Sequence, residues 1–227
     1  MPAKSPIRTG NPATDDRESR SQSAAFPLWL RLAVAAWVAA WIPIYTVYYG
    51  WTDFLHVSDI AIALTAIGLW TSSPVLLSSQ AISTLLGETI WTIDVAWGQI
   101  SGHILIPGVE YMWETKYPLW LRLMSFYHVV LPVLLVWAVA RVGYDRRGLK
   151  LQVGIAAAAL VAGRLWGGQK NNINFAFRDP FFGLSWGPAP VHLVAMLIGA
   201  ILIGYLPTHW LLTKLFTRPR TSAGQAV

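Results

Sequence analysis

The sequence predicts an all-α membrane protein, a polytopic bundle of six transmembrane helices with both termini cytoplasmic. Three observations predict it. The 227 residues are 55% hydrophobic and only 12% charged, a balance outside the range of ordinary soluble domains. The apolar residues are gathered into runs near the roughly 20 residues a helix needs to cross hydrocarbon. The basic residues, 17 Lys plus Arg against 11 Asp plus Glu, cluster at alternate ends of those runs, so the net charge of +6 reads as topology and no nucleic-acid partner is expected. The 13 Trp include Trp29, Trp51, Trp113, Trp120, Trp166, Trp186 and Trp210 near run ends, where amphipathic rings anchor at headgroup level.

Residues 1–25 are polar, mixed in charge and rich in Ser, Pro and Arg, which reads as a disordered cytoplasmic tail. The first apolar run, Leu28 to Tyr49, is longer than a signal-peptide core and has no small-residue cleavage site behind it, so it reads as a retained anchor. The other spans are Phe54 to Trp70, Val75 to Val95, Leu119 to Ala140, Leu149 to Trp166 and Ala189 to Leu212. The six-helix domain is bounded at 26–214, with 215–227 as a flexible cytoplasmic tail. With the amino terminus inside, Lys4, Arg8, Arg17, Arg20, Arg141, Arg146, Arg147, Lys150, Lys214, Arg218 and Arg220 all fall inside. Lys116, Arg122, Arg164, Lys170 and Arg178 fall outside, the asymmetry expected of a protein in the cell membrane. The string Pro27-Leu28-Trp29-Leu30-Arg31-Leu32 recurs as Pro118-Leu119-Trp120-Leu121-Arg122-Leu123, each copy opening a three-helix half, the pattern of inverted transporter repeats.

Ionisable groups inside a membrane are costly, so each one is a functional hypothesis. On the third helix Gln80, Ser83, Thr84, Gly87, Glu88, Trp91 and Asp94 fall within an arc of roughly 140° at 100° per residue. Gln80, Ser83 and Thr84 suit bonds between helices, and Glu88 and Asp94 suit chemistry. His56 and Asp59 are three residues apart at the start of the second helix and face the same way. His128 is the sole histidine of the fourth span, and His192 opens the sixth behind a loop with Asn171, Asn172, Asn174, Arg178 and Asp179. The predicted topology puts nearly all of these in the outer half of the membrane. With no cysteine in the chain, disulfides, thiolate metal sites and a cysteine nucleophile are excluded.

The segment His56-Val57-Ser58-Asp59-Ile60-Ala61 resembles the "LHLCDIALLL" segment of the YwaF family of six-helix integral membrane proteins. His128 is similar to that family's fourth-helix histidine. Asn171-Asn172-Ile173-Asn174-Phe175-Ala176-Phe177 resembles its "NYMFL" stretch, and Gly187-Pro188-Ala189-Pro190 its "GPWP" start to the last helix. The resemblance runs from residue 54 to about 212. It implies a phospholipid acyltransferase-like site in which Ser58 stands where the family has cysteine. A serine nucleophile needs a base. His128 supplies that base in this reading, Asp59, Asp94 or Glu88 orients it, and Asn171, Asn172 and Asn174 donate to an oxyanion. His56, Arg178 and His192 complete the substrate-binding set, membrane lipids are the partners, and no cofactor or metal is expected.

Three further readings stay open. His56, Asp59, His128 and His192 are nitrogen and oxygen donors of the kind that bind zinc, although no HxxxH or HExxH spacing supports it. The repeated segment and polar third helix suit a small-molecule transporter or binding protein. A scaffold without chemistry is the third.

Overall fold

The computed structural model describes residues 26–216, and the terminal segments read above as tails lie outside the described residues, except that the last helix continues two residues past the predicted boundary at 214. The described residues form helices and loops without strands. We number the main helices α1 (Leu28–Tyr48), α2 (Val57–Thr71), α3 (Pro74–Ser101), α4 (Leu119–Val142), α5 (Arg147–Trp166) and α6 (Ala189–Phe216). Helices α1, α4, α5 and α6 are each long and apolar enough to cross a membrane.

The distribution of polarity is that of a bundle whose solvent is lipid. Gln80, Gln152 and His192 are fully buried, whereas Ile100 is 83% exposed and Val47 80%. In water this arrangement would forfeit the hydrophobic gain of burial. In hydrocarbon, polar groups must turn inward and find partners. Of the stripe predicted on α3, Gln80, Thr84, Glu88 and Asp94 are buried, Ser83 and Trp91 are half-buried and Gly87 is exposed, while Ile90, Ile93 and Trp97 face outward.

Helix α3 is the centre of the bundle, packing most extensively on α4, α5 and α2. Its start is encoded locally: Ser72 closes α2 in the left-handed region, the Ser73 hydroxyl accepts the Leu76 N–H at 3.3 Å, and Pro74 takes a first-turn position where no N–H is needed. At 28 residues it is longer than the predicted run to Val95, because its last turns lie under the following loop. Asp94 holds that loop by accepting the Leu105 and Ile106 N–H groups at 2.7 and 3.0 Å. At the other end the absence of a side chain at Gly148 lets α5 reach α3, for a Cβ there would lie 2.8 Å from Ser78 Cβ and Ser79 N.

One helix is short and two others depart from regular geometry. Helix α2 has 15 residues, a rise of about 22 Å, and is preceded by a 3-10 turn over Trp51–Leu55. Helix α4 breaks at Ser125 and Phe126 between Leu119–Met124 and Tyr127–Val142, and Pro132 within it leaves the His128 carbonyl without its helical donor. Helix α6 carries a wide π turn over Ala200–Tyr205, which brings the Tyr205 hydroxyl within 3.4 Å of Gln152 Nε2. Pro27 and Pro118, the first residues of the repeated strings, precede their helices with nearly equal backbone angles, φ −59 and ψ 142 against φ −61 and ψ 148. The likeness stops there, since α1 continues unbroken where α4 is interrupted.

Candidate functional site

The polar residues of α2, α3 and α4 meet in one buried cluster. Glu88 projects from α3 and His128 from the first turn of the longer α4 segment, and the Nδ1–H of His128 donates to Glu88 Oε2. Both side chains are nine-tenths buried, so each polar group finds its partner in the other and not in water. The imidazole is held between rings, 4.4 Å from Trp91 in a stacked arrangement and 4.0 Å from Tyr127. With Nδ1 committed to the carboxylate, Nε2 is the nitrogen left to accept a proton.

The neighbouring residue builds the second half of the cluster. The Tyr127 hydroxyl donates to Asp59 Oδ1 at 2.7 Å, joining α4 to the first turn of α2. On its far side, Asp59 Oδ2 lies 3.9 Å from His56 Nδ1. That nitrogen donates to the Asp53 carbonyl at 2.8 Å and stands 3.4 Å from Asp53 Oδ1. Three carboxylates are thus interleaved with two imidazoles and a phenol, an alternation that spares any acid from facing another acid alone. Ser58 occupies the same first turn of α2, half-buried, and forms no hydrogen bond to His128 among the described residues.

The donor atoms of Asp53, His56 and Asp59 lie within 4.8 Å of one another, a nitrogen and oxygen set that fits a divalent cation. A cation there would have to replace the His56 bond to the Asp53 carbonyl. The four-residue zinc set considered above is not assembled: His128 bonds Glu88, while His192 lies in a separate network, accepting the Trp186 N–H at Nδ1 and donating from Nε2 to the Phe175 carbonyl.

Several predicted site residues serve the backbone. Asn174 accepts the Val57 N–H at 2.9 Å and donates to the Leu55 and Ala159 carbonyls at 2.7 and 3.3 Å, so it brackets His56 and closes the open start of α2. Irregular backbone at membrane depth needs such partners. Asn172 accepts from Phe177 N and Arg178 N and donates to the Arg178 carbonyl. Both asparagines have positive φ, 45 and 53, which this residue type tolerates. Their amides are therefore engaged in shaping the loop before α6, as is the ring of His192, while the carboxylate of Asp94 shapes the loop after α3. Asn171 and Arg178 are exposed. Of the eleven predicted residues, His56, Asp59, Glu88 and His128 are brought into one cluster with Ser58 beside it. Tyr127 was missed by the sequence reading, and its signal was its place beside the one histidine of an apolar span.

These features define a helical bundle of membrane type with an acid–base cluster between the start of α2, α3 and α4. No protein-family model matches the chain, and the search of curated proteins and that of solved structures also return no match.

Proposed function

We propose that the chain is a six-helix integral membrane protein that acts as an acyltransferase or hydrolase on a membrane lipid, with His128 as general base and Glu88 as the group that holds and orients it. The observation that carries this reading is the buried Glu88–His128 bond, since an imidazole fixed at Nδ1 by a carboxylate is the arrangement that activates a hydroxyl nucleophile elsewhere in chemistry of this class. In the proposed reaction Ser58 Oγ attacks the lipid ester or amide carbonyl while His128 Nε2 takes its proton. The carbonyl–heteroatom bond breaks, the leaving alcohol or amine receives that proton, and the acyl group stays on Ser58 until water or an acceptor alcohol removes it. Tyr127 and Asp59 lie where they position the first turn of α2 against α4. The likeness of residues 56–61 and 171–177 to the YwaF family supports the same substrate class.

The test is lipid mass spectrometry on the purified protein in mixed phospholipid bilayers, beside Ser58→Ala and His128→Ala. Acyl exchange or release by the wild type alone supports the reading. Identical lipid profiles from all three folded proteins refute it and favour a transport or scaffold role.

A further inference from the structure

The loop between α5 and α6 encloses a cavity of about 510 Å³ lined by Arg164, Gln169, Phe177, Arg178 and Ser185 among others. It belongs to none of the chemistry described above. Its walls are built by devices the loop would not need if it only linked two helices. The guanidinium of Arg164 lies 4.1 Å over the Phe177 ring and donates to the Ala176 carbonyl at 3.2 Å, which fixes its plane. The backbone of Arg178 is clamped on both sides by Asn172. Asp179 is the one acid of the loop, and its carboxylate is turned onto the loop's own backbone, accepting from Phe181, Phe182 and Leu184 N–H at 2.9, 2.7 and 2.9 Å.

Neither Arg164 nor Arg178 has a carboxylate partner among the described residues. The cavity wall therefore carries two arginines and a glutamine with no acid among the residues that line it, while the Ser185 hydroxyl donates to the Gly187 carbonyl at 3.1 Å. Phosphate oxygens are the acceptors that planar guanidinium groups match best. Leu184, which lines the cavity, is 56% exposed, and its loop neighbours Phe181 and Phe182 are 65% and 70% exposed, with Trp186 two residues on also exposed. Aromatic residues beside a cationic seat suit the boundary between headgroups and acyl chains. The same loop carries Asn174, which ties it to the start of α2, so the cavity and the acid–base cluster share one end of the bundle.

From this geometry we infer that the cavity seats the phosphate of a glycerophospholipid headgroup, an inference that names the headgroup class for the lipid reading above and rests on it. Arg164 and Arg178 hold the phosphate oxygens, Gln169 supplies a neutral donor, and Phe181, Phe182 and Trp186 meet the glycerol and upper acyl chain.

The experiment is native mass spectrometry of the full chain in detergent, titrated with phosphatidylglycerol, with diacylglycerol of the same chains, and with glycerol 3-phosphate. Retention of phosphatidylglycerol over diacylglycerol is expected. Arg164→Gln and Arg178→Gln each weaken it by about tenfold, Arg178→Lys keeps most of it, and Lys150→Gln, in the first turn at the opposite end of α5, leaves it unchanged. Arg178 is exposed, so its substitution tests the seat without threatening the fold. Equal retention of diacylglycerol, or full retention by Arg178→Gln, overturns the inference. Saturation by glycerol 3-phosphate at the same concentration overturns the lipid assignment in favour of a soluble phosphate ester. Bound lipid is read and not product, so a protein that fails to turn lipid over still gives a decisive answer about this seat.

Discussion

Replacing Asn174 by alanine tests how the site is held in place. Its side chain supplies the acceptor for the Val57 N–H and the donors for the Leu55 and Ala159 carbonyls, and nothing else in the fold is placed to replace it. Leaving a buried polar group without its partner costs about 1–3 kcal/mol. Two of the three bonds are short and the groups are only partly buried, so about 2 kcal/mol is the expected loss from hydrogen bonding. Alanine adds about 1 kcal/mol because the backbone at this position has φ 53, which a Cβ disfavours. Asn174→Ala should therefore destabilise by about 3 kcal/mol and Asn174→Gly by about 2 kcal/mol. The assay is reversible unfolding in mixed micelles by titration with a denaturing detergent, followed by the fluorescence of the 13 Trp. If both variants unfold within about 0.5 kcal/mol of the wild type, a value typical of inert surface changes, the clamp is not what closes α2.

Other consequences are as specific. Gly148→Ala places a Cβ 2.8 Å from Ser78 and the Ser79 backbone and should cost about 1–3 kcal/mol by forcing α5 off α3, measurable in the same unfolding assay. Glu88→Gln keeps the shape of the side chain but removes the charge that holds His128, and release of a labelled acyl chain should slow by about 10²-fold with little change in lipid binding. Burial raises the Asp179 carboxyl, but the N–H groups of Phe182, Leu184 and Phe181 outweigh it and hold it below the usual carboxylate range. A carboxyl depressed in the fold stabilises above its unfolded pKa, and that contribution disappears as pH falls through the folded value. The loop should thus stay protected from amide exchange at the pH where free carboxylates protonate, and Asp179→Asn should remove this pH dependence.

Much of the fold was legible because lipid imposes a simple pattern. The α3 stripe could be drawn from helical periodicity, since a polar face that cannot meet water must meet other helices. The expected topology put Glu88 and His128 in the same half of the membrane. It could not decide which of Glu88, Asp59 and Asp94 would meet His128, because that depends on how α3 crosses α4 and which carboxylates are claimed by loops. Asp94 is taken by two backbone N–H groups eleven and twelve residues later, a pairing with no periodic signature. Asn172 and Asn174 misled for a chemical reason: an amide able to bind an oxyanion is equally able to satisfy a peptide group. The break at Ser125 and the π turn before Pro207 have no periodic signature, and only the nearby prolines hint at them.

The account turns on His128 being a base held through Nδ1 by Glu88. Nitrogen NMR of histidine-labelled protein in nanodiscs, for the wild type and Glu88→Gln, tests this most directly. Under conditions where the ring is neutral, the account predicts that His128 carries its proton on Nδ1 with Nε2 unprotonated, and that Glu88→Gln shifts this equilibrium. A His128 protonated on Nε2, or one whose signals ignore the Glu88 substitution, would contradict it.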